Sequence, residues 1–413
     1  MIALILTLFI AGWATQGLTL FDVGHYSFPL ILFAAIPFCF RVSTRSAGFL
    51  VLSIASSIFA VLIAVLEGAD STHIVSQSIL QGLAIVFAGG VASINWRLHL
   101  DTLAKAIVGL GIPIVFYAGY QMVARAAHLP FAFLPITNKQ YYIDGGLQRD
   151  WDKAEVTRAS SLFSEPSELG FYCLWLIVFG FSCKSRSLRT SALVLGCAGI
   201  LFSQSLSAVL GVFVLMAVYL LSHRVSASTI RQLGAMAVIA VVAIGLMKPL
   251  VPEAFDRLAD RLTQAATLDE RADSGRVDHL PACWRIFSES PVWGHGISSL
   301  AAASSSGSDV TTVNYAMLLM ERGLIGTALF LIPWFTVTAK AWLLPAESQG
   351  RSVALLLMVM TLYSFWNFSL TYFLPFWFAF GVAASLVNPA YSEKTLEPPA
   401  SEGYRPMVRA LNI

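Results

Sequence analysis

Residues Gly48–Leu66 read G-F-L-V-L-S-I-A-S-S-I-F-A-V-L-I-A-V-L, a run of 19 residues that contains no charged side chain. A helix of about 20 apolar residues is long enough to cross the roughly 30 Å hydrocarbon core of a bilayer. In lipid, every backbone polar group must be satisfied within the protein, which a continuous helix does. This run therefore predicts a membrane-spanning helix.

The rest of the chain has the same character. Of its 413 residues, 57% are hydrophobic and only 12% are charged, and the mean hydropathy is +0.72. Soluble proteins carry about 25% charged residues. Eleven further apolar segments follow the same pattern: 2–20, 26–40, 74–94, 106–122, 169–181, 188–202, 206–221, 233–250, 323–339, 353–368 and 372–387. Together they predict an all-α, polytopic integral membrane protein with about 12 transmembrane helices.

The short connections between these segments differ in charge. Every second connection is basic: Arg41 and Arg45; Arg97 and Lys105; Lys184, Arg186 and Arg189; Arg224 and Arg231; Lys340 and Arg351. The alternate short connections carry only Asp22, Glu67 and Asp70. Basic connections lie on the cytoplasmic side of membrane proteins. The pattern predicts cytoplasmic termini and two long loops on the opposite side of the membrane.

These features divide the chain into six regions. N-terminal transmembrane helices occupy 1–122, the first long external loop 123–168, and central transmembrane helices 169–250. The second long external loop, with a re-entrant segment, occupies 251–322. C-terminal transmembrane helices follow at 323–387, and 388–413 form a cytoplasmic tail. The net charge of +2 is too small to suggest a nucleic-acid partner, and the five cysteines have no metal-ligand spacing.

The first long loop places an arginine next to the following span. Arg158 lies just before S-S-L-F-S-E-P and the next apolar segment. A guanidinium there suits phosphate oxygens, with an interfacial anchor as the alternative. Glu165 precedes Pro166, a pattern that favours a helix start over a catalytic role. Tyr142 is of the aromatic type that stacks on sugar rings, although composition alone favours an ordinary loop.

The second long loop contains the most polar stretch. Residues 273–296 read D-S-G-R-V-D-H-L-P-A-C-W-R-I-F-S-E-S-P-V-W-G-H-G. A helix from Leu280 would put Leu280, Trp284 and Phe287 on one face, with Pro281 in its first turn. The segment S-P-V-W-G-H-G then predicts a turn. Candidate substrate-binding residues are Arg276, Trp284 and Arg285, and candidate catalytic residues are His279 and His295.

Two charges interrupt the apolar run that begins near residue 313. Glu321 and Arg322 are adjacent in E-R-G-L-I-G, and Asn314 lies seven residues before Glu321. A charge at the centre of a transmembrane helix costs about 2.5–3.5 kcal/mol. We therefore expect residues 314–322 to form a short helix over a polar cavity and the span to begin at Gly323. Asn314 and Glu321 are further candidate catalytic residues.

Five short motifs occur in order between residues 158 and 326: R-A-S-S-L-F-S-E-P, S-Q-S-L-S, S-G-R-V-D-H-L-P-A-C-W, P-V-W-G-H-G and N-Y…E-R-G-L-I-G. The ordered set resembles the bacterial superfamily of O-antigen ligases and O-antigen or exopolysaccharide polymerases. The first half of the chain is similar in topology only. The Arg…F-x-E-P pattern is more similar to the polymerases.

The resemblance implies a multi-spanning, all-helical glycosyltransferase (GT-C-like) in the bacterial inner membrane. The two long loops, 123–168 and 251–322, and the active site would then face the periplasm. It implies a donor oligosaccharide on undecaprenyl pyrophosphate, an acceptor of the same kind, and arginines at Arg158 and Arg276 that hold the pyrophosphate. Such a reaction is inverting and needs neither metal nor cofactor. Ligases have a histidine where this chain has Asn314, and an amide is not a base. The base is therefore left open among Glu165, His279, His295 and Glu321.

Two other functions stay open. One is an O-antigen ligase, which transfers glycan to lipid A core. The other is a flippase or transporter of lipid-linked sugars, which should show internal repeats and mid-membrane charges. The sequence shows no clear repeat, and its charges concentrate in the loops. The lipid bilayer, a flippase and a chain-length regulator complete the expected partners of a polymerase.

Overall fold

The computed structural model describes residues 2–15, 19–23, 26–44, 47–69, 71–127, 129–130, 158–163, 165–222, 280–297, 314–346, 348–366 and 373–389, with a few single residues between 234 and 263. In these ranges the chain is helical apart from one short hairpin. The predicted all-α class is thus confirmed in its coarse form. The segment predicted at 233–250 lies outside the described ranges.

Twelve α-helices form the described part of the bundle. They are α1 (Ile2–Ala14), α2 (Leu30–Cys39), α3 (Ala47–Leu66), α4 (Ser71–Ala92), α5 (Leu100–Ala126), α6 (Pro166–Ser182), α7 (Arg186–Ser203), α8 (Leu206–Ser222), α9 (Leu280–Glu289), α10 (Asn314–Leu343), α11 (Gln349–Ser364) and α12 (Leu374–Leu386). A single 3-10 turn, Trp96–Leu98, joins α4 to α5. Eleven of these helices fall on predicted apolar segments, whereas α9 is the helix predicted inside the second loop.

The first predicted segment is wrong at its end. The sequence predicts apolar helix through residue 20, but α1 ends at Ala14. Strand β1 (Thr19–Val23) then pairs antiparallel with β2 (Tyr26–Pro29), with Val23 opposite Tyr26. The second predicted segment, 26–40, is wrong at its start, because Tyr26–Pro29 is strand and α2 begins at Leu30. Threonine, phenylalanine, valine and tyrosine favour strands, so hydropathy alone misassigned the two strands of a short hairpin as helical ends.

The helix ends that carry the basic connections meet at one end of the bundle. The amide of Ser43, after α2, donates to the Ser93 hydroxyl, after α4, at 3.0 Å. The Arg97 guanidinium donates to the Leu386 carbonyl at the end of α12, at 2.8 Å. Arg351, in the first turn of α11, donates to the carbonyl of Leu344, just after α10. We call this the basic end.

The other ends of the same helices meet at the opposite end of the bundle. There the Tyr363 hydroxyl of α11 donates to the Ser207 carbonyl at the start of α8, at 2.8 Å. The Tyr315 hydroxyl at the start of α10 donates to the Leu362 carbonyl, at 2.6 Å. The Arg158 Nε donates to the carbonyl of Ser203, at 3.2 Å. We call this the polar end, since it presents the motif residues.

Aromatic side chains fill the centre of the bundle between the two ends. Phe9 of α1 lies 4.8 Å from Phe378 of α12 and 5.2 Å from Phe87 of α4, measured between ring centroids. Trp175 of α6 stacks on the same Phe378 ring at 5.8 Å. Offset and edge contacts of this kind add about 0.5–1.5 kcal/mol each to the burial of the rings. The core therefore ties the N-terminal, central and C-terminal helices into one body.

Among the helices that the structure describes, three are long and apolar enough to cross a membrane: Gly48–Leu66, Leu100–Ala124 and Asn314–Leu343. Shorter apolar helices are Ile2–Ala14, Gln77–Ala92, Pro166–Ser182, Leu206–Ser222 and Leu374–Leu386. The first long span, within α3, exposes a line of apolar side chains, which suits contact with lipid: Val51, Ile54, Ile58, Leu62 and Val65. These features support a membrane protein, and the twelve spans and six regions remain predictions.

Candidate active site

Arg158 is held at the polar end by the turn between α7 and α8. Its Nε donates to the Ser203 carbonyl, and the next amide, that of Ala159, donates to the Phe202 carbonyl at 2.9 Å. The side chain is half-buried. The motifs R-A-S-S-L-F-S-E-P and S-Q-S-L-S, far apart in sequence, are therefore in direct contact.

The turn itself presents serine hydroxyls. Gln204 has left-handed backbone angles (φ 47°), which end α7. The Ser205 side chain then accepts a bond from the Ala208 amide and so begins α8. The Ser205 and Ser207 hydroxyls lie 2.9 Å apart. The predicted tight polar turn is confirmed.

The segment after Arg158 is held by hydrogen bonds to α5. Ser161, another left-handed residue (φ 56°), exchanges two hydrogen bonds with the Gln121 side chain, at 2.7 and 3.1 Å. Its hydroxyl donates to the Ile114 carbonyl at 2.7 Å. Both side chains are buried. Arg158 therefore begins a segment whose conformation is determined by buried hydrogen bonds.

Glu165 and Pro166 begin α6, as the sequence predicts for a helix start. Glu165 occupies the N-cap position and Pro166 the first helical position. The Glu165 carboxylate is exposed and accepts a hydrogen bond from the Ser167 hydroxyl at 2.9 Å. An acidic group there is favoured by the positive end of the helix dipole.

Asn314 and Tyr315 extend the polar end to the start of α10. Tyr315 donates to Leu362 of α11, and the neighbouring Tyr363 donates to Ser207. Asn314 is 4% exposed, so its side-chain amide is buried within the polar end. A series of hydrogen bonds therefore links Arg158, the serine turn and α11 to Tyr315, the residue that follows Asn314.

α10 is broken at Gly323, where the sequence predicts that the span begins. Gly323 has φ 57° and ψ −168°, a conformation essentially reserved for glycine. We call residues 314–322, before the break, the outer half of α10, and the longer part from residue 324 to residue 343 its inner half. A break at this depth exposes backbone groups that must find other partners.

The turn at residues 291–296 supplies those partners. The His295 and Gly296 amides donate to the carbonyls of Met320 and Glu321, at 2.9 and 2.8 Å. In return, Leu324 and Ile325 donate to the carbonyls of Pro291 and Val292, at 2.9 and 3.3 Å. An unbroken helix would pair residue 324 with 320 and residue 325 with 321. Both lost bonds are thus replaced, and we call this contact the Gly323 junction.

Three glycines make the Gly323 junction sterically possible. A Cβ on Gly294 (φ 74°) would lie 2.4 Å from the Gly323 nitrogen, and a Cβ on Gly323 would lie 2.4 Å from the Val292 oxygen. A Cβ on Gly296 (φ 82°) would lie 2.2 Å from the Ala64 nitrogen in α3. The motifs P-V-W-G-H-G and E-R-G-L-I-G are therefore two halves of one backbone contact.

The charged pair of α10 lies buried beside this junction. Glu321 is 4% exposed and Arg322 is 1% exposed. The Arg322 Nη1 donates to the Ser56 hydroxyl of α3 at 2.6 Å, and that hydroxyl donates to the Gly326 carbonyl at 2.8 Å. The guanidinium carbon also lies 5.1 Å from the centre of the Phe330 ring. The cation is therefore directed into the protein and away from lipid, as expected for charges in a span.

His295 has both ring nitrogens near oxygen atoms of the protein. Its Nε2 lies 2.8 Å from the carbonyl oxygen of Ile286 in α9, and its Nδ1 lies 3.6 Å from Glu67 Oε2, just after α3. The His295 side chain is 17% exposed and that of Glu67 50%. The predicted catalytic histidine thus lies between two helix ends.

The other predicted residues divide into exposed and undescribed ones. Trp284 and Arg285 lie exposed on α9, and the Trp284 ring is 5.3 Å from that of Phe287. Tyr142, Arg276 and His279 lie outside the described residues. Among the residues that the structure describes, no group of three or more His, Cys, Asp or Glu side chains is arranged to hold a metal ion.

A comparison with protein families adds independent information on this arrangement. Residues 191–331 match the O-antigen ligase family model. The match begins in α7 and ends in the inner half of α10, so it includes the serine turn, α9 and the Gly323 junction. It covers about a third of the chain. No curated protein and no solved structure gives a significant match.

The O-antigen ligase match confirms the superfamily resemblance drawn from the motifs. It supports a membrane protein with ligase- or polymerase-type glycosyltransferase function in general. Arg158 and Glu165 precede the matched residues, so their roles rest on the contacts described above. Sequence reasoning missed Ser56 and Glu67, because their partners are some 230 to 270 positions away in the chain.

Proposed function

We propose that the protein polymerises undecaprenyl-pyrophosphate-linked oligosaccharide repeat units, in O-antigen or exopolysaccharide synthesis, at the periplasmic face of the bacterial inner membrane. The observation that carries the proposal is the position of Arg158. It lies at the polar end, against the serine turn, and hydrogen bonds through that turn and α11 lead to Tyr315, the residue that follows Asn314.

Arg158 is proposed to hold the pyrophosphate of the donor. Its segment leads into the N-terminus of α6, and it contacts the turn that begins α8. The N-terminal ends of helices carry partial positive charge, which favours phosphate in the same place. The pyrophosphate gains charge as the glycosidic bond breaks, so positioned cations stabilise the transition state. Arg276 is proposed as a second such group from the other loop.

The acceptor is proposed to bind at the start of α10. The Asn314 amide can orient a sugar hydroxyl by hydrogen bonds but cannot take its proton. The candidate bases are Glu165, His279, His295 and Glu321, and the two carboxylates among them differ in that Glu165 is exposed and Glu321 is buried. Tyr142, Trp284 and Arg285 are proposed to contact sugars. A single displacement without metal would invert the anomeric carbon.

Two sequence features support polymerase over ligase. The Arg…F-x-E-P pattern resembles the polymerases, and Asn314 replaces the histidine expected of ligases. The test is to give the purified protein undecaprenyl-pyrophosphate-linked repeat units and to separate the lipid-linked products by size. We expect a ladder of longer glycans that forms without nucleotide hydrolysis or added divalent metal.

Other outcomes identify the alternatives. Transfer of glycan only to lipid A core, without a ladder, would identify an O-antigen ligase, in accord with the name of the matching family. Movement of lipid-linked units across the bilayer with no new glycosidic bond would indicate a flippase. A polymerase would work with a flippase, which supplies its substrate, and with a chain-length regulator.

The orientation has its own test. The basic connections meet at one end of the bundle, which supports the assignment of that end to the cytoplasm. Cysteines introduced at Asp144 and Ser305 should react with a membrane-impermeant reagent added outside. Cysteines at Ser185 and Ser348, at the basic end, should not react. Outside labelling at Ser185 would contradict this topology.

A further inference from the structure

The ends of α9 and α3 are joined by one side chain. The last four carbonyls of a helix lack partners within it, so they must be satisfied by other groups. In α9 the Phe287 carbonyl receives the Ser290 amide, at 3.2 Å. The Ile286 carbonyl lies 2.8 Å from His295 Nε2. A carbonyl can only accept, so the Nε2 carries the proton and donates it.

The backbone of His295 is engaged at the same time. Its amide donates to Met320 in the outer half of α10, and the adjacent Gly296 amide donates to Glu321. Ile297 donates to the Ala60 carbonyl in α3, at 3.3 Å. His295 thus contacts α9 through its ring and α10 through its backbone amide. Ile297, two residues later, attaches the same segment to α3.

We propose that His295 is a positioning residue, which caps the C-terminus of α9 through Nε2 and thereby holds Trp284 and Arg285 in fixed relation to the outer half of α10. Its Nδ1 faces the carboxylate of Glu67, at 3.6 Å. An imidazole whose Nε2 proton is donated to a backbone carbonyl has no lone pair left on that nitrogen to accept a proton from a sugar hydroxyl. This role rests on the proposed transferase function, and it removes His295 from the candidate bases.

Two amide substitutions separate the positioning role from a catalytic one. In His295→Gln the side-chain nitrogen occupies the place of Nε2 and can still donate to Ile286. In His295→Asn the amide reaches only the place of Nδ1, so the bond to Ile286 is lost. Neither amide can act as a base. The two variants therefore differ in the cap alone.

The experiment combines two measurements on the full-length protein in lipid nanodiscs. Hydrogen exchange followed by mass spectrometry reports on the amides of Leu280–Glu289, and the ladder assay reports polymer formation from lipid-linked repeat units. We expect faster exchange in α9 and about a 100-fold loss of activity in His295→Asn, since small misplacement of binding groups costs rates of that order. His295→Gln should keep the exchange of the parent and stay within about fivefold of its activity.

Each result decides between the alternatives. Equal and severe loss of activity in both variants, with parental exchange in His295→Gln, would identify a base and overturn the proposal. Parental exchange in His295→Asn would overturn the cap itself. If the parent protein makes no glycan, the proposed function fails, and the exchange measurement still tests the cap. Glu67→Gln is the matched control, and it should change exchange in α9 less than His295→Asn, because the Glu67 contact is longer and half-exposed.

Discussion

The turn at residues 203–207 and the turn at residues 291–296 both bring motif residues to the polar end, but different groups hold them. The first is stabilised by serine side chains and by the tyrosine that reaches it from α11. The second is stabilised by four backbone hydrogen bonds and by glycines in contact with backbone atoms. We therefore expect the two turns to differ in how well they tolerate substitutions. The serine turn should tolerate the loss of one side-chain contact, whereas the glycines of the Gly323 junction leave no space for a side chain.

The largest effect is expected at the Gly323 junction. Gly323→Ala forces a side chain into a conformation reserved for glycine and against the Val292 oxygen. We expect a loss of unfolding free energy of about 3 kcal/mol or more, seen as a lower thermal unfolding midpoint in detergent. The control is Gly82→Ala in α4, where a Cβ meets nothing within 4 Å. It should stabilise the helix by up to about 1 kcal/mol. Equal midpoints for both variants would show that the junction does not hold α10.

The next effect concerns chemistry rather than folding. Arg158→Ala should reduce polymer formation by about 10²–10³-fold, because it removes a cation proposed to stabilise the leaving pyrophosphate. Arg158→Lys should recover little, since an ammonium lacks the two-pronged geometry of a guanidinium. Arg186, exposed at the basic end, provides the matched control. Activity of Arg158→Ala at the level of Arg186→Ala would remove Arg158 from the site.

The contrast between the turns also shows what the sequence can reveal. Hydropathy located eleven of the twelve described helices, because burial in lipid or in the core needs uncharged runs. Charge alternation separated the two ends, and the start of α6 followed from proline chemistry at Glu165 and Pro166. The break at Gly323 was predicted from the cost of Glu321 and Arg322 in a span.

What escaped prediction depends on contacts between distant residues. The pairing of residues 291–296 with residues 320–325 is made by backbone groups, which every residue type carries. Ser56 resembles its neighbours in an apolar run, so only the structure shows that it receives Arg322. His295 looks catalytic in sequence because histidine is the usual base near neutral pH, whereas the positioning role proposed for it rests on the contact between its Nε2 and the Ile286 carbonyl.

The two neighbouring serines of α3 give a smaller and sharper comparison. Ser56 receives a buried cation, whereas Ser57 donates only within its own helix, to the Ser53 carbonyl at 2.9 Å. Ser56→Ala should lower the unfolding free energy by about 2 kcal/mol, because a hydrogen bond to a buried charged group is lost. Ser57→Ala should change it by less than about 0.5 kcal/mol. Indistinguishable thermal midpoints would mean that Arg322 finds another acceptor.

The smallest effect is expected where a side chain supports the serine turn. The Tyr363 hydroxyl donates to the Ser207 carbonyl at 2.8 Å, and Tyr363→Phe removes this bond but keeps the ring. We expect a loss of about 1 kcal/mol in unfolding free energy and a ladder within about fivefold of the parent. Tyr315→Phe, at the start of α10, loses a similar bond to Leu362 and serves as the comparison. If Tyr363→Phe were as damaging as Gly323→Ala, the serine turn would be as intolerant as the Gly323 junction. The distinction between side-chain and backbone support would then be wrong.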